Sequence, residues 1–446
     1  MSVFVPCRMT PITTPQDTPP QGRRRLTKNQ IRGFWAAWAG WALDGMDSFI
    51  YALVLVPALR DLLPVSGIRA DASNTGFYGG LLFALFLIGW GLAFLWGPIA
   101  DRFGRVRTLM LTILCYSAFT FAGALATNVW ALGLFRLLAG IGIGGEWTLG
   151  GVLVAEEWPE DRRVRGAAFM HTGYYFGTLL ASLANFSLGA RFGWRAMFAL
   201  GGAPALLVAL IRWGVDEPAR WTDRVHALGE RISARAAFGK LFSGEYRRRT
   251  ILNSVYVLVS MIGLWAGSVY VPSAVTLLAN HEGITGADAA RIASNGSMLL
   301  SAGTILGCLA VPLLVEWIGR RGTLGIFYIL MATFIAVGFG YVFYLPNHAL
   351  GWFLACLFAL GIGGASFCVF TVWLPEQYST DCRGSAFAFA TSIGRFVAAG
   401  ATFIVGAGVS HYGTLGVPVA MTAIAFVAGL FVLPFGEETR GKPLPD

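Results

Sequence analysis

Charge is scarce in this chain. Only 13% of its 446 residues are Asp, Glu, Lys or Arg, against roughly 25% in soluble domains. With 56% of the residues hydrophobic, there is too little polar surface to cover a soluble globule of this size. Six cysteines occur, Cys7, Cys115, Cys308, Cys356, Cys368 and Cys382. They show no metal-ligand spacing and most lie in apolar runs, so we read free thiols, with no disulfide framework and no metal site. A P-loop, a ligand cluster and a nucleophile constellation are all missing, which argues against an enzyme and against a bound cofactor. The glycine-rich run Gly140–Gly145 lies inside an apolar span with no strand before it, so helix packing explains it better than a nucleotide loop. No cleavable signal peptide is evident. Residues 1–32 are polar, rich in Pro and Thr, and end in Arg23, Arg24, Arg25, Lys28 and Arg32. That segment reads as a disordered basic cytoplasmic tail.

Long apolar runs are what the chain has. A membrane helix needs about 20 apolar residues. Twelve such stretches can be counted, from 33–60 to 413–435. All are expected to be helices, because lipid offers no partner to open backbone. The organisation expected is a tail at 1–32, a six-helix bundle at 33–213, a cytoplasmic linker at 214–247, a second six-helix bundle at 248–435 and a tail at 436–446. The net charge of +9 falls mainly in the tails and in alternate loops. This positive-inside pattern sets topology, with both termini cytoplasmic, and does not call for a nucleic acid. The 57 glycines fit close approach of membrane helices.

The two halves also repeat. Gly97-Pro98-Ile99-Ala100-Asp101-Arg102-Phe103-Gly104-Arg105 has a degraded copy in Glu316-Trp317-Ile318-Gly319-Arg320-Arg321, and Asp101 and Glu316 stand 215 residues apart. Arg165-Gly166 and Arg383-Gly384 are separated by 218 residues. Gly142-Ile143-Gly144-Gly145 pairs with Gly361-Ile362-Gly363-Gly364. Three repeats at nearly one offset point to a transporter built from two similar bundles.

On these residues the chain resembles the major facilitator superfamily over about 33–440. Gly97, Asp101, Arg102, Gly104 and Arg105 match its signature loop between the second and third helices. Arg136, Gly140, Gly142, Gly144 and Gly145 resemble its fourth-helix motif. Asp216-Glu217-Pro218-Ala219-Arg220 and Glu437-Glu438-Thr439-Arg440-Gly441 resemble segments of its sugar-porter-like branch. Asp44-Gly45-Met46-Asp47 and Gly144-Gly145-Glu146-Trp147 resemble segments of the aromatic-acid and sialate/monocarboxylate proton symporters, with Met46 where an aromatic is usual. The resemblance implies alternating access between two six-helix bundles. It implies a bacterial inner-membrane location, proton-coupled uptake of a small organic anion and a monomer in the bilayer. A neutral sugar porter, an exporter and a non-transporting receptor are the competing readings.

Ionisable residues inside spans are functional candidates. Asp44 and Asp47, three residues apart on one helix face, are the proton-coupling pair, with Asp44 favoured as carrier. Glu146 either joins proton transfer with His171 or pairs with an arginine near the cytoplasmic side. Arg395, and after it Arg136, are candidates for the substrate carboxylate, since a guanidinium offers a matching fork. A partner for Arg136 in Asp44 or Asp47 is the alternative. Among the aromatics, Tyr174 and Tyr256 are the first choices for the cavity wall. By resemblance, Asp101, Arg105, Glu156 and Arg165 in the first half, with Arg320, Glu376 and Arg383 in the second, form a cytoplasmic gate of ion pairs. Because Trp317 replaces a basic residue, the second copy is expected to latch less tightly.

Overall fold

The computed structural model describes residues 26–204, 206, 216–217, 222, 234–268, 270–379 and 382–445; the side chains of some helical residues within these ranges, Asp101, Glu156 and Trp265 among them, fall outside the description. Most of the expected tail and linker also lies outside it.

Every regular element among the described residues is helical. The first half contains α1 (Lys28–Val65), α2 (Ala72–Gly91), α3 (Trp96–Phe103), α4 (Arg105–Ala124), α5 (Val129–Glu157), α6 (Glu160–Ala184) and α7 (Ala190–Leu200). A short α8 (Ala234–Leu241) falls in the linker region. The second half contains α9 (Arg247–Ser268), α10 (Val271–His281), α11 (Gly286–Trp317), α12 (Gly319–Gly340), α13 (Ala349–Gly364), α14 (Ser366–Trp373), α15 (Arg383–Tyr412), α16 (Gly416–Met421) and α17 (Ala423–Val432). Together they make twelve spans in two pseudo-symmetric six-helix bundles. Among the described residues, nine helical stretches are long and apolar enough to cross a membrane. The other three spans have local reasons for weaker signals. The first turns of α6 carry Glu160, Asp161, Arg162, Arg163 and Arg165. The residues that follow α7 lie largely outside the description, and α9 opens on three arginines.

Local chemistry sets the helix ends. α1 opens with a capping box: Thr27 Oγ1 accepts from Gln30 N, and the Gln30 side chain accepts from Thr27 N. Asp71 and Asn128 cap α2 and α5 in the same way, accepting from Asn74 N and Ala131 N. The starts of α4 and α12 repeat one device. Gly104 (φ 108°) and Gly319 (φ 80°) turn the chain through a backbone region that side chains disfavour. Glu217 then accepts from Val106 N and Arg107 N, and Glu438 accepts from Arg320 N and Arg321 N. A carboxylate on two free N–H groups at a helix start is stabilising.

Within the first half, α1 packs on α6, and α5 on α2 and α4; in the second, α13 packs on α11 and α15 on α9. The α1–α6 crossing is close because Gly45 faces the Tyr174 backbone and Gly177 faces the Ala42 carbonyl. A methyl group at either position would collide with main chain, so these glycines bring Asp44 up against α6. The halves meet along α6 with α11 and α2 with α15.

Candidate functional site

A chamber lies between the halves, lined by Trp41, Trp90, Trp147, His171, Tyr174 and Tyr175 from the first half and Met261, Phe367 and Arg395 from the second. Its free volume is about 20 Å3, room for roughly one water. A ring-sized ligand therefore requires side chains to part. The walls are mutually packed aromatics: Trp41 stacks on Trp147 at 5.9 Å and meets Tyr174 at 4.9 Å. His171 lies 5.8 Å from Trp147 and 6.0 Å from Tyr175, centroid to centroid.

Arg395 on α15 is the cation of this chamber. Its guanidinium lies 4.3 Å from the Trp90 ring centroid and 5.5 Å from that of Trp147. It is fully buried, and its Nε has no hydrogen-bond partner among the described residues. Cation–π contact offsets part of the cost of burying that charge, but not its hydrogen-bonding demand. Asp44 on α1 shares its electrostatic surroundings with Arg395, Asp47 and Glu146. Both Asp44 oxygens are buried with no donor among the described residues.

A second cluster sits beside the chamber. Arg136 on α5 pairs with Asp47 at 3.8 Å, both fully buried. Its guanidinium packs 4.3 Å from the Phe86 ring and 4.7 Å from Tyr51. Arg136 thus faces Asp47 and does not line the chamber, so the partner alternative describes its geometry and a direct substrate contact does not. Glu146 is also buried. It lies against Gly40 and accepts from Thr112 Oγ1 at 3.4 Å. Among the described residues no cation pairs with it, so the expected partner arginine is not found. His171 does not touch it through a hydrogen bond either; its Nδ1 lies 3.1 Å from Thr371 Oγ1.

Tyr256, expected in the cavity wall, does not line the chamber. Its hydroxyl donates to Val432 O at 3.1 Å and its ring stacks on Trp373 at 5.6 Å. It braces α9 against the end of α17, away from the chamber. Tyr174 does line it.

Thr371 was not anticipated. Trp147 Nε1 donates to its hydroxyl at 2.9 Å, and the same hydroxyl meets His171 Nδ1. Two first-half side chains are thereby tied to α14 of the second half. The sequence signal is slight: one hydroxyl in the apolar run Val369-Phe370-Thr371-Val372. A second tie joins Thr178 and Ser301 at 2.6 Å. Thr178 is one helical turn beyond Tyr174 on α6, while His171 is one turn before it. The two ties therefore bracket the chamber.

The arginine-rich face holds the other cluster. Arg320 grips Glu376 with two bonds, Nε to Oε2 at 2.9 Å and Nη2 to Oε1 at 2.7 Å. Thr439 donates to the same carboxylate. Arg163 reaches Glu376 from the first half at 3.9 Å. The expected Arg165 is exposed and makes no ion pair among the described residues. Two residues along a helix is about 200° of rotation, so Arg163 faces the other half and Arg165 faces away. Arg105 donates to Ala100 O, and Arg383 to Pro375 O and Pro445 O. The second copy is not slack: its arginine holds a bidentate pair. The Asp101 and Glu156 side chains lie outside the described residues.

Comparison with known proteins adds four findings. The sequence profile of the Major Facilitator Superfamily matches residues 37–402. A probable 4-methylmuconolactone transporter of Cupriavidus pinatubonensis is 29% identical over 420 residues, covering 92% of this chain and 91% of that protein. The 4-hydroxybenzoate transporter PcaK of Acinetobacter baylyi is 28% identical, covering 79% of each. Among solved structures, the proton:xylose symporter XylE bound to 6-bromo-6-deoxy-D-glucose superposes with a TM-score of 0.74 at 20% identity, covering 93% of this chain and 98% of that one. That last likeness is one of fold.

Proposed function

The chain belongs to the major facilitator superfamily, and we propose that within it this transporter takes up a small organic acid anion together with protons by alternating access. It is a multi-pass membrane protein and not an enzyme. The observation that carries the reading is Arg395, a buried guanidinium with an unmet nitrogen, set among aromatic rings beside Asp44. A carboxylate would meet its hydrogen-bonding demand and its charge at once. The rings of Trp41, Trp147 and Tyr174 suit the planar body of an aromatic or unsaturated acid. The name of the 4-hydroxybenzoate relative is consistent with that chemistry.

Asp44 is the proton carrier in this reading. Asp44 and the substrate carboxylate compete for one guanidinium, so a proton on Asp44 frees Arg395 for substrate. Glu146, also buried and without a paired cation among the described residues, is the next carboxylate along the path, and Asp47 with Arg136 forms a fixed counter-charge to the side. Thr371 and Thr178–Ser301 would break in turn as the chamber opens to one side or the other. The Arg163–Glu376 contact and its pair with Arg320 act as the cytoplasmic gate, with bundles at 33–213 and 248–435 rocking about the linker. Both termini are cytoplasmic, in a bacterial inner membrane, and the unit is a monomer.

The test is proton entry into liposomes holding the purified protein and a pH-sensitive dye. Organic acids, 4-hydroxybenzoate among them, are compared with neutral sugars. Entry driven by a carboxylate supports the reading. Entry with sugars alone, or none with any acid while another gradient drives export, overturns it.

A further inference from the structure

Two large cavities among the described residues lie away from the seam between the halves. They lie side by side on the arginine-rich face, where α9 begins and the last span ends. One, of about 430 Å3, includes Glu245, Arg248, Arg249, Asn253, Gln377 and Glu437 in its wall. The other, of about 340 Å3, is bounded by Arg247, Arg248, Ile251, Leu252 and Phe435. Arg248, Leu252 and Phe435 are common to both.

The three successive arginines differ in what they meet. Arg249 Nε binds Glu437 at 2.6 Å, and its Nη1 donates to Gln377 O. Burial alone would raise the Glu437 carboxyl, but Lys442 and Arg249 outweigh it and hold it below the ordinary glutamate value. That pair is therefore charged and satisfied. Among the described residues Arg248 donates to a carbonyl alone, Phe435 O at 3.3 Å. Arg247 has no acid within ion-pair distance among the described residues, and neither has Arg248; Glu245, in the wall of the first cavity, pairs with neither. Both guanidiniums are exposed, and immediately below them Ile251 and Phe435 are 52% and 60% exposed. Two uncompensated cations above an open apolar cleft at the end of a membrane span match a phosphate with acyl chains. A soluble anion would use the cations and leave the apolar wall uncovered.

We propose that Arg247 and Arg248 cradle the phosphate of an anionic phospholipid whose acyl chains run along Ile251, Leu252 and Phe435. The site is separate from the transport chamber and does not depend on which substrate the chamber takes. The lipid joins α9 to the end of the last span, the same two elements that Tyr256 joins from within.

The experiment is native mass spectrometry of the full-length protein released from phosphatidylcholine nanodiscs doped with phosphatidylglycerol. Wild type should retain phosphatidylglycerol in preference to phosphatidylcholine. The double variant Arg247→Gln/Arg248→Gln should lose that preference by about five-fold for each guanidinium removed. A control of equal charge change, Arg32→Gln/Arg107→Gln, alters two other exposed arginines and should keep it. Equal preference in wild type and the Arg247/Arg248 variant overturns the proposal, as does equal loss in the control, which would mean bulk charge. Displacement of the lipid by millimolar inorganic phosphate would also overturn it, in favour of a soluble-anion site. Melting temperatures of the variants in phosphatidylcholine alone check that they fold, and a variant that does not fold is replaced by Arg248→Lys, which should retain the preference.

Discussion

The two halves share a fold and divide the chemistry. In the membrane interior the first half holds three carboxylates, Asp44, Asp47 and Glu146, with Arg136 and His171. The second half, among the described residues, brings one charged side chain to that depth, Arg395, and meets the first half with hydroxyls, Thr371 and Ser301. On the arginine-rich face the weight reverses, and Glu376 of the second half gathers Arg320, Thr439 and Arg163. Pseudo-symmetry thus fixes where helices lie but not what they carry. In the proposed function the carboxylates of the first half would hold the protons and Arg395 of the second half the anion, and transport would consist of making them exchange partners.

The strongest way to break this division is at Arg395. Arg395→Gln should reduce carboxylate affinity by roughly a hundred-fold, the ~3 kcal/mol that follows from removing one partner of a buried charged contact. Binding of 4-hydroxybenzoate or another transported acid, measured by calorimetry, checks it; an affinity within about three-fold of wild type would place the anion elsewhere. Next in size is the gate. Glu376→Gln leaves Arg320 and Arg163 without their shared acid, a loss of about 3 kcal/mol where an ion pair is buried, of which the 3.9 Å Arg163 contact is the part that spans the halves. Cysteine accessibility from the two sides should show the balance moved toward opening on that face. Thr371→Val removes one acceptor from Trp147 and one partner from His171. It should weaken occlusion by about 1–2 kcal/mol, roughly ten-fold in the closed fraction, while Thr371→Ser restores it. Trp90→Leu should have the smallest effect. It takes away one face of the Arg395 sandwich, worth about 0.5–2 kcal/mol, and should raise KM without abolishing proton coupling.

Much of the architecture was legible because the bilayer imposes it. Runs of apolar residues near 20 long can only be helices there, and the paired loops at Asp101 and Glu316 reveal the duplication. The central charges were legible for a related reason, since ionisable groups are rare inside spans. Their partners were not. Whether Arg136 meets substrate or Asp47 depends on how α1 lies against α5, a tertiary relation that no local pattern in the sequence records. The repeat aligns Arg165 with Arg383 and points to Arg165 for the gate, yet the start of α6 at Glu160 turns Arg163 inward. Tyr256 looked like a cavity residue because it lies in a span, but its hydroxyl finds the Val432 carbonyl. Glu217 and Glu438 were visible as parts of matching segments, while their shared task of capping α4 and α12 needs the tertiary fold.

The division between the halves is tested most directly by substrate-induced proton uptake in the purified, detergent-solubilised protein, followed with an indicator dye in weak buffer. Adding a transported acid to wild type should draw protons from solution. Asp44→Asn should still bind the acid, by calorimetry, but take up no proton. Undiminished uptake in a binding-competent Asp44→Asn would contradict the account, because the proton would then reside on another group.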